Sequence, residues 1–312
     1  MTTTDELRFD GRVAIVTGAG RGMGYHHAHL LAQRGASVVL VDLNEKTATE
    51  AEAKMTAQGL KVKACVGDVR KPESIENIVK TAIDSFGRID ILVNNAGTGG
   101  WKAFTDWTRE EIYDQMEVHC IGPCLLSQAC WPYMAKQKYG RIVVVLSSSM
   151  FGMYGHIPYT AAKAGALGLA INMAYEGQQH GIKVNGLDQA AGTELLKEAM
   201  GNGPVKDWIL ENLRPEDPAA TCAYLCHESC PVSGDYITAA GKGFSRYFFG
   251  GIVGHSSDVP LTPELVRDSF YKLSDLSDYI VMKSGSQASD FIAKRHGLDS
   301  LAGLDVIPES KK

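Results

Sequence analysis

Apolar, β-branched runs alternate with amphipathic stretches through most of the chain: RVAIVTG (12–18), SVVLVD (37–42), KVKACVGDV (61–69), IDILVNNAG (89–97), RIVVVLS (141–147) and IKVNGL (182–187). Runs this poor in polar alternation suit strands covered on both faces. Between them, GYHHAHLLAQRGA and ESIENIVKTAIDSFG carry helical periodicity. Each meets a glycine near its end, which can close a helix in the left-handed conformation. Strand, helix and strand in succession make right-handed crossovers. The pattern predicts an α/β fold on a doubly wound parallel sheet of about seven strands, the last at DYITAAGKG (235–243).

From Phe244 the alternation stops. FSRYFFGG is followed by LTPELVRDSFYKLSDLSDYIV, in which a threonine cap, a proline in the first turn and apolar helical spacing predict a helix. The expected organisation is a flexible N-terminus over 1–8, one catalytic domain over 9–245, and a C-terminal helical extension of that domain over 246–312.

Composition adds exclusions. The chain has 312 residues, 45% hydrophobic and 21% charged, with a net charge of −5. That balance gives no electrostatic footprint for nucleic acid. No apolar run reaches membrane-spanning length, and MTTTDELRFDGR has no signal-peptide character. Seven cysteines without paired spacing suit a reducing compartment, and the final ESKK is not a peroxisomal address of the SKL kind, so a cytoplasmic location is expected. Cys222, Cys226 and Cys230 beside His227, and His26, His27 and His29, form stripes rather than converging ligand sets, so no metal is expected.

The first run leads directly into TGAGRGMG and a helix. Gly18, Gly22 and Gly24 permit a tight turn and let backbone N–H groups approach a pyrophosphate at the helix N-terminus. The second run ends in Asp42, at the offset from which an acid can bind the adenosine ribose and repel a 2′-phosphate, which favours NAD over NADP. Arg21 pulls the other way, since a guanidinium there can pair with that phosphate. Asp42 can equally cap the next helix. Asp68, at the end of the third run, reads as an adenine acceptor or a turn aspartate. Asn95, Ala96 and Gly97 of NNAG end the fourth run as cofactor contacts or as a strand-to-loop turn. Met23, Leu43 and Val69 neighbour these positions and complete the candidate cradle.

TGAGRGMG, NNAG and YTAAK together resemble the short-chain dehydrogenase/reductase family over roughly residues 9–245. The resemblance implies a Rossmann-like fold, with Tyr159 as acid/base, Lys163 as its partner, and Thr193 where a hydroxyl meets the nicotinamide amide. Independently, a phenol titrates near 10, and a cation about 4 Å away could lower it by the ~3 kcal/mol that work near neutral pH requires. Residues four apart share a helix face, so Lys163 can supply that charge. In that family the active serine stands about a dozen residues before the tyrosine and begins an S-x-x-G arrangement, so the resemblance implies Ser149, through SMFG, with Ser147, closer to the usual distance, as the alternative. Either hydroxyl would stabilise charge developing on a substrate oxygen.

VHCIGPCLLSQACWPYMAKQKYGRI, NGLDQAAGTEL and the tail PLTPELV are further similar to the hydroxyacyl-CoA dehydrogenase region of type 2 multifunctional enzymes. His119 stands where many family members have a relay asparagine and that subgroup has histidine, so it reads as a proton relay or as a packing residue. Gln189 replaces the usual proline after the sixth strand. Trp101, Phe104, Trp107, Met150, Phe151, Met153 and Tyr154 suggest an apolar mouth or, equally, core.

These features imply hydride transfer between NAD(H) and a small-molecule secondary alcohol or ketone, and the aromatic loops favour a hydrophobic one. A 3-hydroxyacyl-CoA is the first alternative, and a non-catalytic dinucleotide-binding sensor or assembly protein is the alternative of another class. The resemblance also implies a homodimer or homotetramer.

Overall fold

The structure is a computed structural model and describes residues 6–193, 202–252, 254–277, 279–282 and 293. In chain order its first unit contains β1 (Val13–Thr17), α1 (Gly22–Gln33), β2 (Ser37–Asp42), α2 (Glu45–Thr56), β3 (Val62–Val66), α3 (Pro72–Phe86), β4 (Ile91–Asn94) and α4 (Arg109–Met116). A π-helical turn, Glu117–Ile121, joins α4 to α5 (Gly122–Gln137). Then come β5 (Gly140–Leu146), α6 (Ile157–Gly177), β6 (Ile182–Ala190), α7 (Pro204–Asn212), α8 (Glu216–Cys226), β7 (Tyr236–Ala240) and β8 (Gly243–Tyr247).

The eight strands form one sheet in the order β3-β2-β1-β4-β5-β6-β7-β8. The pairs from β3 across to β7 are parallel. β8 is an edge strand beyond the seven that the pattern predicts. The order reverses between β1 and β4, and the crevice at such a reversal is where doubly wound sheets bind ligands. β1, β4 and β5 are buried at every position, which is why their sequences lack alternation. Ile15, Leu40, Ile91, Leu92 and Ile142 are fully buried, each contributing about 1.5–3 kcal/mol by leaving water.

Local chemistry sets the helix ends. α3 starts with Pro72 and stops at Gly87, whose φ of 78° closes the helix in the left-handed region. α4 begins with a capping box between Thr108 and Glu111. β6 runs to Ala190, beyond the six-residue apolar run, and pairs Gln189 with Ala239 and Ala190 with Ala240. A proline at 189 would lack the N–H that a strand ladder uses; glutamine lets the ladder continue.

A second compact unit covers Tyr247–Lys312. In it α9 (Pro263–Ser269) has the predicted Thr262 cap and first-turn proline. It ends earlier than periodicity suggests, in a 3-10 turn over Phe270–Ser274. Tyr279–Val281 is instead a strand, β10, paired antiparallel with β9 (Gly250–Ile252), and Phe248 stacks on Tyr279 at 5.5 Å. Residues 1–5 of the expected flexible N-terminus, the end of NGLDQAAGTEL, and most of the expected extension beyond 282 lie outside the described residues. Among the described residues no helix is long and apolar enough to cross a membrane.

Candidate active site

The turn between β1 and α1 is held open by glycine. Gly18 has φ 64°, and a Cβ on Gly24 would lie 2.1 Å from the Gly18 carbonyl oxygen, so a side chain there is excluded. α1 has no side-chain cap and no acid in its first turn. Its leading N–H groups and positive dipole end therefore face an opening that suits an anion, and the cradle fits a dinucleotide pyrophosphate. Arg21 is exposed at the helix entrance, Met23 is half-buried, and Thr193 approaches Gly22, with its Cγ2 4.0 Å from where a Cβ would stand.

Asp42 ends β2 beside this turn. Its carboxylate accepts from the Gly20 N–H at 2.9 Å, the Asn44 N–H at 3.0 Å and the Thr47 hydroxyl at 3.1 Å. The cap of α2 is Asn44, whose Oδ1 accepts from Lys46 and Thr47, so Asp42 is not the N-cap. Leu43 is 62% exposed next to it. Asp68 is held differently: Arg70 donates to it through Nε at 2.9 Å and Nη2 at 2.8 Å, and also reaches Asp114. The guanidinium holds this carboxyl below its ordinary range. Asp68 is thus an ion-paired turn residue, and adenine would have to share its oxygens. Val69, next to it, is buried.

At the end of β4, the Asn95 and Ala96 N–H groups donate to Thr17 Oγ at 2.9 Å each, and the Asn95 side chain donates to the Thr17 carbonyl at 2.9 Å. These bonds tie the NNAG segment to the glycine turn. Gly97 leads on to His119, whose ring would touch a Cβ at that position.

His119 lies in the π-helical turn, an insertion that re-aims side chains and recurs at functional sites. It is 2% exposed and packs edge-on against Tyr159, with ring centroids 4.8 Å apart. Its Nε2 is 2.9 Å from the Thr98 carbonyl. As an Nε2–H donor it leaves Nδ1 buried without a partner. Burial, reinforced by the Lys163 charge, pushes its pKa down to about 3, so the imidazole is neutral at physiological pH. The packing reading describes the observed contacts.

Tyr159 and Lys163 share one face near the start of α6, which opens with Pro158 in its first turn. The Lys163 amine is buried, donates to the Val145 carbonyl at 2.6 Å and lies 5.5 Å from the Tyr159 ring centroid. Burial lowers its pKa to about 7, against the pull of Asp188. The phenol behaves opposite to the expectation: burial raises its pKa, a hydrogen bond with Ser147 lowers it, and Asp188 raises it. Burial is the largest of these causes.

The serine also differs from the favoured reading. Ser147 meets the Tyr159 phenol and accepts from the Ser149 N–H at 3.2 Å. Ser149 is 2% exposed and its hydroxyl has no partner. The short helical turn that begins at Ser148 curls Ser149 inward, a rotation that alternation along an extended chain could not anticipate.

Thr17 and Asp188 escaped sequence reasoning, and Gln189 was read only as a departure from proline. Thr17 stitches β1 to β4. Asp188 on β6 pairs in register with Leu146, is 9% exposed, and accepts hydrogen bonds from Ser148 and Thr238; burial raises its pKa. Its visible signal was an acid inside an otherwise apolar strand. Gln189 bonds His27 and Asn95.

Of the residues read as an apolar mouth, Trp101, Phe104, Phe151, Met153 and Tyr154 are exposed. Trp101 contacts His156 at 4.5 Å, and His156 contacts Tyr159 at 5.7 Å. The Lys102 N–H donates to the Gly155 carbonyl at 3.1 Å, so the two loops bearing these residues meet beside the phenol. Cys222, Cys226 and Cys230 are fully buried core residues.

A family model described as short chain dehydrogenase matches residues 12–197. The chain is 36% identical over 294 residues to the peroxisomal multifunctional enzyme type 2 of Drosophila melanogaster, covering 89% of this chain and 48% of that enzyme. It therefore spans about half the length of that relative. The solved structure of the full-length fly enzyme superposes with a TM-score of 0.78 at 32% identity, over 92% of this chain and 50% of the other. A 7α-hydroxysteroid dehydrogenase complexed with NADH and 7-oxo glycochenodeoxycholic acid superposes with a TM-score of 0.72 at 32% identity, over 78% of this chain and 98% of that one.

Proposed function

The chain belongs to the short-chain dehydrogenase family, and from that membership we propose that it is an oxidoreductase moving a hydride between NAD(H) and an apolar secondary alcohol or ketone. The observation that carries the proposal is the Tyr159 phenol, with Ser147 beside it and the buried Lys163 amine 5.5 Å from its ring centroid, next to a glycine turn tied to NNAG.

When bound, the nicotinamide would supply or accept the hydride at the substrate carbon. Ser147 and Tyr159 hold the substrate oxygen. In reduction the phenol gives that oxygen its proton, and the raised phenol pKa keeps the proton available; in oxidation the tyrosinate takes it back. Lys163, fixed to the Val145 carbonyl, is the nearby cation that favours the tyrosinate. His119, neutral and packed on the ring, limits its rotation.

NAD is preferred because Asp42 is pre-oriented by three hydrogen bonds and repels a 2′-phosphate. The exposed aromatic loops favour a bulky apolar substrate, and the solved steroid complex of a family relative is consistent with that class. A 3-hydroxyacyl-CoA is the second reading, supported by the similarity to type 2 multifunctional enzymes. We further assign a homo-oligomeric state, testable by light scattering. The free cysteines support a reducing compartment; imaging of the tagged chain would separate cytoplasm from the peroxisome named for several relatives.

A screen of apolar secondary alcohols, ketones and 3-hydroxyacyl thioesters, following NADH absorbance, tests the reaction. Turnover is expected to vanish in Tyr159→Phe while NADH still binds. Tight NADH binding without turnover across the screen would favour the sensor reading instead.

A further inference from the structure

Three side chains far apart in sequence form a directed chain of hydrogen bonds behind the glycine turn. His27 Nε2 on α1 lies 2.6 Å from Gln189 Oε1 on β6, and Gln189 Nε2 lies 2.9 Å from Asn95 Oδ1 after β4. The Asn95 amide donates to the carbonyls of Thr17 at 2.9 Å and Gly18 at 3.4 Å.

Each orientation follows from the one before. Backbone carbonyls only accept, so Asn95 must turn its NH2 toward Thr17 and Gly18 and its oxygen toward Gln189. Gln189 must then present its NH2 to Asn95 and its oxygen to His27. His27 must carry its proton on Nε2. Burial lowers its pKa to about 4, which keeps that ring neutral, and its Nδ1 is left without a partner. Only one arrangement satisfies the chain, and it links α1, β6 and the ends of β1 and β4.

We propose that Gln189 is a positioning residue for the dinucleotide cradle, holding Asn95 and the Gly18 turn in their ligand-ready arrangement through the His27–Gln189–Asn95 relay. The inference rests on the cofactor reading above and deepens it. Gln189 reaches these partners because β6 continues through Ala190, and strand alternation sends Asp188 and Gln189 to opposite faces. One residue faces the lysine of the reactive centre; the next braces the cofactor end.

The test uses the full chain, with NADH as probe and fluorescence titration as readout. Gln189→Leu leaves both the Asn95 oxygen and the His27 N–H unpartnered, and is expected to weaken NADH binding by about tenfold. The Michaelis constant for NADH should rise by more than the turnover number falls. Gln189→Glu keeps an acceptor for His27 but loses the donor to Asn95. NADH binding should weaken there too, while the His27 ring, followed by 15N NMR, titrates higher than in the wild type because an anion now faces it. This second readout needs no cofactor and remains available if Gln189→Leu fails to fold. Wild-type binding with Gln189→Leu within twofold of it, or His27 titrating unchanged in Gln189→Glu, overturns the inference alone. A wild-type chain that does not bind NADH overturns the cofactor reading and this inference with it.

Discussion

Replacing Lys163 with methionine should abolish turnover and yet make the protein more stable at neutral and acid pH. The lysine is buried, and its pKa falls from the ordinary 10.5 to about 7. At 1.36 kcal/mol per pH unit that fall corresponds to about 5 kcal/mol of disfavoured protonation in the fold. The unfolded chain keeps the ordinary value, so it binds this proton more readily than the folded chain between pH 7 and 10.5. Below that window both states are protonated and the full penalty is present; above it neither is, and the penalty is gone. About half is lost by about pH 9. Methionine removes the penalty but forfeits the bond to the Val145 carbonyl, worth about 1.5–3 kcal/mol, and leaves Asp188 without its cation. A net gain of about 2 kcal/mol near pH 6 should therefore shrink, and reverse, as the pH rises. Urea denaturation of wild type and Lys163→Met across a pH series measures this. A stability difference that is independent of pH, or that favours the wild type more as pH falls, would refute the reasoning.

Ser147→Ala should lower turnover by about 10²–10³, as expected for loss of one oxyanion donor, whereas Ser149→Ala, which deletes a hydroxyl with no partner, should change turnover and stability little. Steady-state kinetics and thermal melts of the two variants decide between them. Asp42→Asn should erode the preference for NAD over NADP, read as the ratio of kcat/KM for the two cofactors. Gly24→Ala would drive a Cβ to 2.1 Å from the Gly18 carbonyl oxygen. It should destabilise the fold by about 1–3 kcal/mol and weaken NADH binding; an alanine variant with wild-type Tm and affinity would show that the turn has room to spare.

Periodicity and punctuation reveal the sheet because they are local consequences of burial. A strand buried on both faces has no polar alternation, and a helix that must stop before the next strand meets Gly87. The glycine turn, Asp42, NNAG, Tyr159 and Lys163 were readable for the same reason: each lies within a short motif whose spacing bears on its geometry. Asp188 and Gln189 were visible as departures, but nothing along the chain says what they face.

Sequence by itself thus determined the alternation of strands and helices, the glycine turn, and the shared helical face of the phenol and the amine. Tertiary structure alone decided that Ser147 meets Tyr159, that burial raises the pKa of the phenol, and that His27, Gln189 and Asn95 join. The division has a physical cause: hydrogen-bond spacing along one element is set by its pitch, whereas desolvation and contacts between distant segments exist only once the elements have packed.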